Sequence, residues 1–467
     1  MDYSANNIQL WNTLLQMGIM AACVMVATFL RNNLPFVKKS LMPVSVIAGF
    51  IMLFIKLLNI VRIDVNVMEV LVYHCTALGF IAMSLRVPAK GNEQKKDRVA
   101  LKSGALIVGT YVMQGLVGLI ISTIVSFTIK PGFFMAAGAL LPMGYGQGPG
   151  QANNIGGTYE ALGFVGGRSF GLALAAAGYL CACIVGVISL TVLKKHRKFA
   201  GLNTESNDDN LSAGFFQDQN EIPVSDSIDR LSVQVCMVLV VYLVAFLATK
   251  GLTMALAAIS EGLANSLNTL LWGFNFIIGA AVAILTRSVL EWGKKKQYIR
   301  RQYQNNYLLN RISGFFFDIM IVAGIASINP EDLSGMWLPF ILLAVAGGAV
   351  TWFWLAFACK KIYRGYYFEG FISMYGMMTG TVGSGILLLR EIDPQFTTPA
   401  ANNLVSGSSF AIILGIPMLF FVGIAPKSTT HCLITILLCA IYWLLMLLII
   451  TKVKTKDKKA KGKEQKS

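Results

Sequence analysis

The chain has 467 residues, 55 % of them hydrophobic and only 13 % charged, with a mean hydropathy of +0.63. A soluble domain carries about a quarter charged residues, so this composition excludes a soluble globular protein and points to an all-α polytopic membrane protein. The net charge of +16 does not mark a nucleic-acid binder: residues 452–467 hold eight Lys against Asp457 and Glu464. The other basic clusters fall between apolar spans, where they set topology. No nucleic-acid partner is therefore expected, and membrane lipid is the natural neighbour of the Lys-rich tail.

A helix needs about 20 apolar residues to cross the hydrocarbon core, and on that rule eleven spans are expected. The first five cover 10–30, 41–60, 68–85, 104–128 and 169–193. A polar, acid-rich stretch over 201–229 reads as a cytoplasmic linker. The next spans cover 231–249, 270–285, 312–328, 336–359, 404–421 and 432–451, with an amphipathic segment over 254–268 leading into the seventh. With the N-terminus outside, the basic clusters after spans one, three, five, seven, nine and eleven all fall in the cytoplasm, as does the C-terminus. Among them are Arg31 with Lys38, Arg86 with Lys90, Lys194 with Arg197, Arg287 with Lys294, and Lys360 with Lys361.

Two stretches interrupt the apolar blocks. PMGYGQGPGQANNIGGTY, over 142–159, places Gly144, Gly146, Gly148 and Gly150 at alternate positions. Glycine loses the most backbone entropy on ordering, so a regular helix is not expected there. SMYGMMTGTVGSG, over 373–385, is the second. Irregular backbone at membrane depth needs protein or a water-filled cavity to satisfy it, so both are read as re-entrant hairpins, over about 132–166 and 369–389. Each follows the fourth span of a set of five, and the sets start on opposite sides. This predicts an inverted-topology repeat: a first half over 1–200 and a second over 230–423, with an extra helix and tail over 424–467. GRSF at 167–170 and GSSF at 407–410 are faint echoes in matching places. Paired interrupted segments in two inverted halves are the sequence pointer to a secondary transporter's binding site.

The motifs MGYGQGPG, YGMMTGTVGSGILLLREIDP and RNNLPFVKKSLMPVSVIAGF give the chain a resemblance to the bacterial sodium/glutamate symporter family over nearly its whole length. The resemblance implies Na⁺-coupled uptake of L-glutamate, a homodimer in the bacterial cell membrane, and an elevator-like movement of the hairpin-bearing part against a scaffold. One departure falls in the first tip. Where better-known members have Gly-Gly-His-Gly, this chain has Met143-Gly144-Tyr145-Gly146.

Candidate substrate contacts in the first tip are Gly144, Tyr145, Gly146, Gln147 and Gly148. In the second they are Thr379, Gly380, Thr381, Gly383 and Ser384. Exposed carbonyls and hydroxyls suit Na⁺, and half-helix N-termini suit a carboxylate. A single Gly is more simply a close-packing residue. Asp318, inside the eighth span, is a candidate Na⁺ ligand or a paired structural carboxylate. Asn153 and Asn154 are further candidate ion ligands, and His74, at a matching depth in span three, reads better as a hydrogen-bonded packing residue. Arg390 offers a guanidinium fork for a carboxylate, or else an interfacial charge paired with Glu391 or Asp393; Arg168 has the same two readings. Asn402 and Asn403 complete the set.

Other readings keep the class and change the cargo to another small organic anion, such as a di- or tricarboxylate, or the ion to H⁺. A membrane receptor that binds without translocating is a different class. No nucleophile–base set, Walker A sequence or paired Cys spacing marks an enzyme, an ATPase or a metal framework, so Na⁺ as coupling ion is the only cofactor-like requirement. The first apolar run lacks a basic leader and a cleavage site, so the N-terminus reads as mature chain.

Overall fold

The computed structural model describes residues 3–4, 7–35, 37, 41–87, 98–196, 227–259, 271–272, 275–298, 303–393 and 397–452. The expected linker over 201–229 lies almost wholly outside them, as do the tail beyond Lys452, the basic residues Lys38, Lys90, Arg300 and Arg301, and most of the amphipathic segment over 254–268. Among the described residues the chain is helical, with no strand.

Among the described residues, ten helices are long and apolar enough to cross a membrane. They are α1 (Ile8–Asn33), α3 (Val65–Leu85), α4 (Arg98–Thr128), α7 (Gly167–His196), α8 (Ser227–Ile259), α9 (Asn275–Lys295), α10 (Asn306–Ala326), α11 (Trp337–Ile362), the stretch Phe410–Lys427 and α16 (Thr429–Lys452). The expected second span is shorter: α2 covers only Val44–Leu57. Pro43 sets its start, Leu41 before it has φ 54°, and Asn59 after it has φ 53°, so the chain turns at both ends of the apolar run. The expected tenth span is a broken helix, α14 (Ala400–Leu414) then α15 (Ile416–Ile424). Pro417 at the second position of α15 has no N–H to bond back across the junction. Residues 254–259 continue α8 and form no separate amphipathic helix.

Side-chain capping fixes several starts. Asn7, Asp64 and Asn305 accept backbone N–H bonds from Leu10, Asn66 and Leu308. Asp64 also accepts from Asn12 Nδ2 at 2.6 Å, which pins the start of α3 to α1.

Burial sorts the helices. The most apolar windows of α4 and α7 are 67 % and 61 % buried, against 22 % for α1, α8 and α16. The peripheral helices turn Leu14, Phe29, Leu243, Leu247, Leu437 and Ile441 outward, an apolar belt that water would not tolerate on this scale. The packing makes two bundles. One joins α1 to α2, α2 and α3 to α10, α3 to α9, and α8 to α9. The other joins α4 to α11, α14 and α16, and gathers both Gly-interrupted segments around α7. The two sequence halves therefore interleave, and neither packs as a unit of its own. Contact between the bundles runs mainly through the second arm of the first interrupted segment, which touches α3 and α10, and through α7 against α10.

Candidate functional site

The first interrupted segment is a 3₁₀ turn (Met135–Ala139), α5 (Leu140–Tyr145) and α6 (Pro149–Ala161). Its break is set by Gly148, whose φ of +92° is a glycine conformation, followed by Pro149 at the first helical position. The chain returns to where it entered: Phe134 stacks on Phe164 with ring centroids 4.9 Å apart, and Phe134 also meets Tyr159. The second segment is α12 (Tyr367–Thr379) and α13 (Val382–Arg390), with Thr381 capping α13 through Ser384 N. Its arms lie backbone against backbone, since a Cβ on Gly376 would come 2.9 Å from Gly385 Cα.

The alternating glycines have separate tasks. A Cβ on Gly144 would come 2.7 Å from Ala175 N on α7. At Gly146 it would enter the Tyr111 ring of α4, and at Gly150 it would meet Thr76 of α3 and the Met320 sulfur of α10, 2.7 Å away. Close packing accounts for these three, and conformation for Gly148. Tyr145 is fully buried and its hydroxyl is engaged: it donates to the Ala344 carbonyl at 2.6 Å and lies 3.4 Å from Cys181 Sγ. Gln147 is the partly open side chain of this tip.

In the second tip, Thr379 Oγ1 donates to its own helix at Tyr375 O, 2.8 Å away. Gly380 is buried, Gly383 is exposed with a Cβ there coming 3.5 Å from Thr381 Oγ1, and Ser384 Oγ is buried without a partner among the described residues.

The two breaks meet on α7. A Cβ on Gly178 would lie inside 3.0 Å of the Thr379 carbonyl oxygen and 3.3 Å from Tyr145 Cα. Gln114, in the middle of α4 and fully buried, links the same place to α11 and α12. Its Nε2 donates to Thr351 Oγ1 at 2.8 Å and to the Met378 carbonyl at 3.0 Å, while Oε1 has no partner among the described residues. The sequence reading passed over Gln114, Thr351 and Gly178. Gln114 carried a signal, being the one amide inside the apolar run over 104–128.

Other expected site residues lie elsewhere. Arg390 ends α13, so about 12 Å of helix separates it from the tip. Asn402 is exposed in the first turn of α14, and Asn403 donates to the Tyr366 hydroxyl at 2.8 Å. Asp318 keeps an accessible side chain on α10, with Ser45 of α2 and Tyr179 of α7 around it. Asn153 and Asn154 are buried in α6, and among the described residues Asn153 Oδ1 and both amide atoms of Asn154 have no partner. His74 Nδ1 pairs with the Tyr242 hydroxyl at 2.7 Å, matching the packing reading. Arg168 joins Glu69 of α3 at 2.6 Å and Glu160 of α6 at 3.4 Å, the structural one of its two readings. Among the described residues no group of His, Cys, Asp and Glu could hold a metal ion on its own. Comparison with known protein families, with curated proteins and with solved structures finds no match to this chain.

Proposed function

We propose that this chain is a secondary active transporter that couples Na⁺ entry to uptake of L-glutamate or a similar small organic anion. The observation that carries the reading is the meeting of two interrupted segments on α7, bridged by Gln114. Arms of 9 to 13 residues fall short of the about 20 needed to span. Each segment therefore enters the bilayer and turns back, and its broken backbone faces a protein-lined centre.

The pattern of packing supports an inverted repeat. Pairing spans one to five with six to ten, several of the main contacts have counterparts. The contact of α1 with α2 matches that of α8 with α9, and α2 with α10 matches α9 with α3. Likewise α4 with α14 matches α11 with α7, and α5 with α7 matches α12 with α14. The two central pairs, α3 with α10 and α4 with α11, are their own counterparts. Opposed halves give a site that opens to either side in turn, which a one-sided receptor does not need.

Sidedness follows from charge. Arg86 bonds Asn310 and Arg287 bonds the Ser84 and Arg86 carbonyls, which gathers basic residues at one end. The opposite end holds Glu69, Glu160 and Asp332, joined to Arg168 or to Ser169. We place the basic end in the cytoplasm, which leaves the N-terminus outside. The glutamate assignment, the homodimer and the elevator movement rest on the family resemblance of the motifs.

Purified protein in proteoliposomes tests the reading. Saturable glutamate uptake that requires an inward Na⁺ gradient, and is lost with K⁺ or choline, is the expected result. Uptake driven by a proton gradient alone would move the coupling to H⁺. Absence of gradient-driven accumulation of any anion in a competition panel would overturn transport itself.

A further inference from the structure

Gln114, at the centre of α4, bonds the second break and lies beside the first, and its hydrogen bonding is lopsided. A carboxamide has two N–H donors and one carbonyl acceptor. Both donor directions are filled, by Thr351 Oγ1 and Met378 O. The acceptor, Oε1, points towards the first break: it lies 3.2 Å from where a Cβ on Gly146 would be. It is fully buried, and no donor among the described residues reaches it. Leaving such an acceptor unpaired is costly, so something positive is wanted there.

What surrounds it is negative in character. Helix α5 ends at Tyr145 and helix α12 at Thr379, so both present C-terminal carbonyls that have no intrahelical donor. Both also carry the negative end of the helix dipole. The Thr379 carbonyl is directed at Gly178, beside Tyr145 Cα. Amide, carbonyl and hydroxyl oxygens without a carboxylate suit a monovalent cation; divalent ions are held through carboxylates.

We propose that Gln114 Oε1 is a ligand of the coupling cation, Na⁺, held between the C-terminal ends of α5 and α12. Gln114 is a different residue from Asp318, Asn153 and Asn154, the ligands expected from sequence. It also supplies a physical link: one ion that touches both breaks stabilises the arrangement in which they meet. The assignment rests on the transporter reading and deepens it.

The test is a Na⁺ titration of the thermal stability of the full-length protein in detergent, with choline keeping ionic strength constant. Ligand that binds only the folded state raises apparent stability by mass action. Gln114→Leu should raise the half-saturating Na⁺ concentration about tenfold or more. Thr351→Val, which leaves Oε1 in place but loosens the amide, should raise it less. If Gln114→Leu does not unfold cooperatively, Gln114→Glu decides. It keeps an oxygen at the site and adds a negative charge, so half-saturation should fall below the wild-type value. Half-saturation within about twofold of wild type in both Gln114 variants overturns the assignment. If wild type responds to Na⁺ and takes up anion with it while the variants behave as wild type, the ion site is wrong and the transporter reading stands. A wild type whose stability ignores Na⁺, the interior acceptor being met by water alone, overturns both the site and the choice of ion.

Discussion

Gly178→Ala probes the meeting of the two breaks directly. In an exposed helix interior, Ala is better than Gly by about 0.5–1 kcal/mol. Gly18 on α1 is such a position, with nothing within 4 Å of an added Cβ, so Gly18→Ala should stabilise by about that amount. At Gly178 the same methyl would lie inside 3.0 Å of Thr379 O and 3.3 Å from Tyr145 Cα. Both are backbone atoms of other segments, and neither can swing away as a side-chain tip would. Overpacking of a tight interior costs about 1–3 kcal/mol. Set against the helix gain, about 1–2 kcal/mol of destabilisation remains. In a thermal unfolding assay this lowers the apparent Tm by about 1–2 °C, and Na⁺-driven uptake should fall because the two ends are pushed apart. The pair carries the logic: identical chemistry, opposite sign. If Gly178→Ala raises Tm as Gly18→Ala does and transports normally, the close approach of the breaks is refuted.

Three further outcomes are expected. The Arg168–Glu69 pair joins the two bundles, but its side chains are 40 % and 22 % exposed, so a double-mutant cycle with Glu69→Gln and Arg168→Gln should give a coupling of about 0.5–1 kcal/mol; zero coupling in chemical unfolding would remove the pair as an inter-bundle tie. Tyr145→Phe should cost about 0.5–1.5 kcal/mol by freeing the Ala344 carbonyl, and a melting temperature equal to wild type would show the bond to be worth nothing. Asp393 lies in the connection after α13. Burial raises its carboxyl pKa, but bonds from the N–H and hydroxyl of both Thr397 and Thr398, at 2.6–2.8 Å, outweigh burial and hold it below the usual range. A depressed carboxylate stabilises the fold above its unfolded value of about 3.9 and loses that contribution as pH falls through the folded value. Asp393→Asn should therefore lower Tm at neutral pH and converge on wild type in acid, and a gap that stays constant with pH would refute this.

What the sequence exposed and what it hid divide along a physical line. Apolar length is a local property, so the blocks around α4, α7 and α16 were readable to within a few residues. Hydropathy finds the end of a membrane span but not the end of a helix. The seventh block stops at Leu285, while α9 runs on through Thr286, Arg287 and Glu291 to Lys295, because those residues are compatible with helix even though they leave the apolar phase. That the Gly-rich stretches would break was also local, fixed by backbone entropy and by the φ of Gly148. What each glycine faces was not, since Gly144, Gly146 and Gly150 meet Ala175 of α7, Tyr111 of α4 and Thr76 of α3, 31, 35 and 74 positions away. Tyr145 was a fair candidate for substrate contact until its hydroxyl was seen to be taken by Ala344, 199 residues away. Gln114 shows the converse. A lone amide in an apolar helix must find partners or lose stability, so its presence between Met113 and Gly115 already announced a buried polar contact. Only the fold could say that its donors serve Thr351 and the second break while its acceptor is left facing the first.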